Sequence, residues 1–196
     1  MFPIALNLTQ VPVLLAGYGE LTLKRLAYLD EAKAAHVRLY CDRPTEAMRL
    51  AAGSRLMERM PDMDDLARHT VIMLAGLERG VAEGYVAQAR AAGKLVNVED
   101  VNDLCDFYFT ANVRRGDLVI AVSTSGASPT LARKVRDYIA SRFGIEWAGY
   151  VEEMAQLRQS WRAQKLGFQQ LIDNSEQHLA NKGWLDCTRC KAKKII

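Results

Sequence analysis

Apolar positions along this chain switch repeatedly between two spacings. Residues 11–16, 37–41, 70–75, 95–98 and 118–122 are short, nearly unbroken apolar runs rich in Val, Ile and Leu, the pattern of strands buried on both faces. Between them apolar residues recur every three or four positions, which predicts helices from Gly19 to about Ala35, over 45–58, and over 81–92 with Gly93 as the stop. Residues 62–68 read as a polar turn. Strand alternating with helix makes a parallel, doubly wound α/β sheet the economical topology, and ligands of such sheets sit beyond the carboxyl ends of the strands. After residue 122 a Ser/Thr/Gly loop leads to a helix over 130–139, with Leu131, Val135, Tyr138 and Ile139 on one stripe. Beyond Gly144 the spacing stays helical, over 147–166 and 168–179.

The first strand runs into Gly17-Tyr18-Gly19 and the second ends at Asp42, the opening of a Rossmann-like nucleotide-binding unit. Gly17 permits the tight turn, Gly19 lets backbone approach a pyrophosphate at the helix N-terminus, and Asp42 is placed to accept ribose hydroxyls. A tight turn without a ligand reads the same way at this length. Gly17, Asp42, Gly76 and Asp100 all fall at carboxyl ends of predicted strands, which brings them to one cleft.

Ser128-Pro129 is a helix start, with the serine oxygen as cap and proline at the first helical position. With Ser123-Thr124-Ser125-Gly126 before it, the loop makes either a seat for a phosphate or carboxylate or an ordinary capped connection. Arg114, Arg115, Arg133, Lys134 and Arg136 concentrate positive charge near it, suiting a substrate with several carboxylates or simply a solvated face.

Composition narrows the class. The 196 residues are 49% hydrophobic and 25% charged, as expected for one large domain or a domain with a helical annex. No apolar run approaches 18 residues, and Met1-Phe2-Pro3 is unlike a secretory leader, so the sequence predicts a cytoplasmic protein that does not span a membrane. A net charge of +3 is too small to argue for nucleic acid. Four cysteines form no disulfide framework, and His36, His69 and His178 lack metal-ligand spacing, so no metal site is expected in the protein itself. Cys187 and Cys190 make one CxxC, half of a zinc ligand set.

Two segments carry a more specific message: NVEDVNDLCDFYF over 97–109, and RRGDLVIAVSTSGASPTLARKVR over 114–136. Together they resemble the signature of the precorrin-2 dehydrogenase and sirohydrochlorin ferrochelatase family, the N-terminal module of siroheme synthases. The resemblance implies a Rossmann-like NAD-binding domain over 1–112, a dimerisation region over 113–145, and a C-terminal helical lobe and tail over 146–196. It assigns Asp100 as the catalytic acid or base, Gly17, Gly19, Glu20, Leu21, Asp42 and Arg43 to NAD, and Arg114, Ser125, Gly126 and Ser128 to the tetrapyrrole substrate. On local sequence alone Asp100 is more often a turn or helix-capping residue, and Glu99 can face solvent. The family's products imply sirohydrochlorin made in a homodimer and Fe2+ as a further substrate. Against the family's GGG-x-V-A-x-RK pattern, Tyr18 and Thr22 add bulk beside the pyrophosphate path, and Leu77 and Arg79 replace a threonine and an aspartate. Because these departures gather on the cofactor side, two alternatives stand beside the dehydrogenase: a tetrapyrrole chelatase without the hydride step, and a non-catalytic tetrapyrrole- or nucleotide-binding protein.

Overall fold

The computed structural model describes residues 2–185; Cys187, Cys190 and the basic tail lie outside the described residues. The chain forms two compact units, Met1–Phe109 and Thr110–Ile196.

The first unit is a five-stranded parallel sheet in the order β3-β2-β1-β4-β5. The strands are β1 (Val13–Gly17), β2 (Val37–Tyr40), β3 (Leu56–Met57), β4 (Val71–Ala75) and β5 (Leu95–Val98). Every residue of β1 and β4 is buried, which is why these segments are apolar without alternation. The period-two geometry of β1 splits its side chains between two cores. Val13 and Leu15 pack with Leu26 and Leu29 of α1 (Gly19–Glu31) and Met48 of α2 (Glu46–Ala52). Leu14 and Ala16 pack with Leu66 of α3 (Met63–Arg68) and Ala82, Val86 and Ala89 of α4 (Arg79–Ala91). The sheet is therefore covered on both faces, as the alternating pattern predicted.

Three boundaries differ from expectation for local reasons. The segment 45–58 is not one helix: α2 stops at Ala52, Gly53 takes φ 52°, a 3-10 turn follows, and Leu56–Met57 pairs with β2 as an edge strand. The first helix ends at Glu31 rather than near Ala35, because Lys33 enters the left-handed region at φ 56°. Residues 62–68 are a helix, not a polar turn: Asp62 accepts from the Asp65 amide while Asp65 accepts from the Asp62 amide, a capping box that satisfies two free donors.

Asp65 does more than cap. It is 4% exposed, accepts from the Tyr40 hydroxyl at 2.9 Å, and pairs with Arg59 at 2.5 Å. Burial alone would raise its pKa; the bonds from Arg59, the Asp62 amide and Tyr40 outweigh that and hold the carboxyl well below the usual range. Tyr40 is pushed up to about 12, by burial first and then by the Asp65 bond, so it remains a donor. A depressed folded-state pKa stabilises above the unfolded value of about 3.9 and is lost as pH falls towards the folded value. We expect stability of the first unit to decline below about pH 4, and Asp65→Asn to flatten that acid limb while costing about 2 kcal/mol at pH 7, measured by urea unfolding across pH.

The second unit opens with an antiparallel hairpin of β6 (Ala111–Arg115) and β7 (Leu118–Val122), turned at Gly116 with φ 57°. The basic Arg114-Arg115-Gly116 turn is thus the end of a strand that the sequence pattern did not reveal. Helices α5 (Pro129–Arg142), α6 (Trp147–Ala163) and α7 (Phe168–Lys182) follow. Arg115 is not part of a ligand-facing basic patch: its guanidinium donates to the Phe143 carbonyl at 2.7 Å and to Ala140, closing the C-terminal end of α5. Tyr150 of α6 stacks on Trp184 at 4.3 Å and Glu153 pairs with His178 and Lys182, which fastens α6 to α7. Lys182 holds the Glu153 carboxyl below its ordinary pKa, with His178 adding to the effect. No described helix is long and apolar enough to cross a membrane.

Candidate functional site

The carboxyl ends of the central strands carry the first group of expected residues. Gly17 closes β1 at φ 147°, and a Cβ there would lie 1.7 Å from the Ala75 carbonyl oxygen. Gly76, just past β4, has φ 67° and would collide with the Tyr18 carbonyl if it carried a side chain. The two turns therefore interlock, with the Tyr18 amide donating to Ala75 at 3.0 Å. Gly19 begins α1, and nothing lies within 4 Å of the space its Cβ would take. That opening lies at the positive end of a 13-residue helix, an end that favours anions. Glu20 is exposed in the first turn and Leu21 is half-buried.

Thr22 does not stand beside that opening. It is fully buried and its hydroxyl meets the carbonyls of Tyr18 at 3.0 Å and Ala75 at 3.2 Å, sewing the turn to β4. Its bulk points into the helix–strand packing and away from the open space at Gly19. Leu77 likewise packs against the core shared by α3 and α4, while Arg79 pairs with Glu83 and Asp103. Tyr18 is the departure that bears on the cofactor. Its hydroxyl donates to Asp42 at 2.7 Å, and the Arg43 guanidinium lies 5.1 Å from its ring.

Beyond β5 a cleft of ≈ 140 Å³ is lined by Arg25, Glu99, Asp100, Cys105, Tyr108 and Phe109, among others. Asp100 sits at φ 60°, in the left-handed region that residues with a Cβ seldom occupy. Its carboxylate has no hydrogen-bond or ion-pair partner among the described residues, so both oxygens are available to a ligand. A backbone forced into a rare conformation to present an unpaired carboxylate is the kind of cost that functional sites retain.

The neighbours explain how the turn is held. Glu99 does not face solvent: it forms an ion pair with Arg25, the two side chains being 15% and 21% exposed. Arg25 also lies 3.9 Å from the centre of the Phe109 ring. Cys105 spans the turn from the other side, with its sulfur 3.2 Å from the Val98 amide and carbonyl and 3.3 Å from the Val101 carbonyl. Burial raises the Cys105 pKa, the Val98 amide opposing it, so the thiol keeps the proton it donates. Asn97, buried at the end of β5, reaches the Phe107 carbonyl at 2.9 Å. Arg25 escaped the sequence reading as a site residue, although it stands at the last position of the basic pair, here Lys24-Arg25, that ends the family's glycine-rich pattern.

In the second unit, Ser128 caps α5 by accepting from the Leu131 amide at 3.2 Å, with Pro129 at the first helical position. Thr124 accepts from the Ser128 amide and donates to its carbonyl, both at 3.1 Å. These bonds hold Ser125 at φ 53° and Gly126 at φ 84°, both exposed at the tip of the loop. Arg114 is exposed on β6. Among the described residues no group of three or more His, Cys, Asp or Glu side chains is arranged to hold a metal ion.

Comparisons with known proteins agree on the family and the fold. Residues 4–111 match the family model of NAD(P)-binding domains, and residues 115–142 match that of the sirohaem biosynthesis protein central segment. The siroheme synthase of Methylococcus capsulatus is 37% identical over 148 residues, covering 72% of this chain and 31% of that protein. Siroheme synthase 1 of Klebsiella pneumoniae is 34% identical over 140 residues, covering 70% and 30%. The chain thus spans about a third of the length of the curated relatives it matches. Among solved structures, SirC, a precorrin-2 dehydrogenase, has the same fold, with a TM-score of 0.76 at 18% identity over 96% of this chain and 94% of that one.

Proposed function

The chain belongs to the precorrin-2 dehydrogenase and sirohydrochlorin ferrochelatase family, the N-terminal module of siroheme synthases, and we propose from this that it oxidises precorrin-2 to sirohydrochlorin with NAD+. The observation that carries the reading is the unpaired Asp100 carboxylate, held in a strained turn at the carboxyl edge of the sheet that bears the Gly17-Tyr18-Gly19 turn.

Oxidation of precorrin-2 removes a hydride and a proton from the macrocycle. The residues present fit the dinucleotide: the space over Gly19 and the free amides of α1 suit its pyrophosphate, Asp42 its adenosine ribose, and Glu20, Leu21 and Arg43 flank the path. NAD+ supplies the hydride acceptor there. Asp100 takes the proton, which its lack of any competing partner among the described residues favours. Arg25 and Cys105 keep that carboxylate aimed by fixing the turn on either side. Ser125 and Gly126, exposed at the loop tip, with the hydroxyls of Ser125 and Ser128 and the exposed Arg114, are suited to the substrate's carboxylate side chains.

Leu131 at 55%, Val135 at 37% and Tyr138 at 52% exposure form an apolar stripe along α5, which supports a homodimer built on residues 113–145. Val135→Glu is expected to shift the sedimenting species from dimer to monomer without loss of helix content; an unchanged dimer removes this face from the interface. The reading sets the protein in the cytoplasm, consistent with the free thiols of Cys41 and Cys105.

The test is calorimetric titration with NAD+, followed by absorbance of precorrin-2 in its presence. Binding with conversion to sirohydrochlorin is expected. Because Tyr18 already engages Asp42, a second reading remains specific enough to examine: absence of both binding and conversion, with Fe2+ inserted into supplied sirohydrochlorin, establishes a chelatase without the hydride step. Pyrrole protons then leave to Asp100.

A further inference from the structure

Tyr18 and Asp42 are 24 residues apart and end two neighbouring strands, yet the tyrosine hydroxyl meets Asp42 Oδ1 at 2.7 Å. The contact is not a by-product of helix capping, because the Tyr18 side chain makes no cap bond to α1. The backbone at Tyr18 is clamped: its amide donates to Ala75, and its carbonyl accepts from Thr22. Only the side chain has freedom to turn, and its ring is half-buried, with Arg43 on one face. The Asp42 bond, and burial after it, raise the Tyr18 pKa, so the phenol is a donor throughout the neutral range. Asp42 is the acidic group at the end of β2, where this fold reads the adenosine ribose through its hydroxyls.

We propose that Tyr18 is a specificity-determining residue of the nucleotide site, its hydroxyl standing in for a ribose hydroxyl on Asp42. The inference rests on the assignment of NAD+ as cofactor. Dinucleotide binding then exchanges one hydroxyl donor for another on the same carboxylate, and the net gain from the ribose contact is small. Discrimination is affected more than affinity. A polar site rejects a ligand lacking the matching hydroxyl because its own group is left unpaired. Here Tyr18 pairs Asp42 whenever the ligand does not, so an analogue without the 2′-hydroxyl leaves no unsatisfied carboxylate behind. Arg43, its side chain 79% exposed, lies 3.7 Å from the same Asp42 oxygen and shares the carboxylate with Tyr18, as a screened surface charge rather than as a competing hydroxyl.

The experiment uses the full chain and Tyr18→Phe, which keeps the ring and its packing and removes the competing donor. Kd is measured calorimetrically for NAD+ and for its 2′-deoxyadenosine analogue, with Tm as the check on folding. The parent should bind the two ligands within about twofold of each other. Tyr18→Phe should bind NAD+ about fivefold tighter and prefer it to the deoxy analogue by about tenfold, the range set by one net hydrogen bond at a solvent-exposed site. Adding Asp42→Asn to Tyr18→Phe should abolish the preference. Tyr18→Phe with unchanged NAD+ affinity and an unchanged ligand ratio overturns the proposal while leaving the cofactor assignment standing. Absence of NAD+ binding by parent and variant alike overturns both.

Discussion

Asp100→Asn lowers kcat for precorrin-2 oxidation by about 10²–10⁴-fold, the usual contribution of a positioned acid or base. The substitution is chosen to isolate proton transfer. Asparagine is nearly isosteric with aspartate and tolerates the left-handed conformation, so the turn at φ 60° has no reason to rearrange. Asp100 makes no bond to another described side chain, so losing its charge breaks no contact in the folded protein. Stability should therefore stay within about 0.5 kcal/mol of the parent, and NAD+ affinity should not change. Kd and Tm that hold while kcat collapses place the loss in the chemical step. Turnover equal to the parent's removes Asp100 from the mechanism and turns attention to the loop of Ser125 and Ser128.

The same turn marks the boundary of what the sequence revealed. The strands 95–98 and 118–122 were legible to the residue, because each is a compact apolar run between polar flanks. The two-faced covering of the sheet followed from strand–helix alternation. β6 was not legible: Ala111–Arg115 mixes apolar and basic residues, and only Val113 is buried. Nor was α3: Pro61, Asp62, Asp64 and Asp65 imitate a turn, although Asp62 and Asp65 supply the capping box that starts the helix. At the site, glycine turns and Asp100 could be located by motif. The ion pair of Arg25 with Glu99, the thiol bridge of Cys105 and the Tyr18–Asp42 bond join residues 74, 7 and 24 positions apart. No local pattern encodes such contacts: the first and third exist only once the sheet, in the order β3-β2-β1-β4-β5, has brought their strand ends to one edge, and the thiol bridge only once the turn after β5 has closed. Thr22 shows the converse: a substitution that looks obstructive in a motif is harmless to the ligand path once its side chain is seen to point inward.

Gly17→Ala should be the most damaging small substitution in the first unit, at about 3–5 kcal/mol from the sum of backbone strain and overpacking. Gly17 is paired in register with Ala75 in the β1–β4 ladder, and its φ of 147° is a conformation that residues with a Cβ avoid. The added methyl would lie 1.7 Å from the Ala75 oxygen and 3.0 Å from the Thr22 hydroxyl. Neither neighbour can yield cheaply: Ala75 is fixed in the central strand pair, and Thr22 is wholly buried. Gly19→Ala provides the contrast. Its φ of 66° is also left-handed, but nothing lies within 4 Å of the new methyl, so only the conformational cost of about 1–2 kcal/mol applies. Thermal unfolding of the two variants separates packing from conformation, with the Gly17→Ala midpoint falling further, by roughly 10 °C or more. Equal midpoints would mean that the turn relieves the overlap by shifting away from β4. In that case NAD+ affinity should fall in Gly17→Ala as well, because the amides of α1 proposed to meet the pyrophosphate would move with the turn.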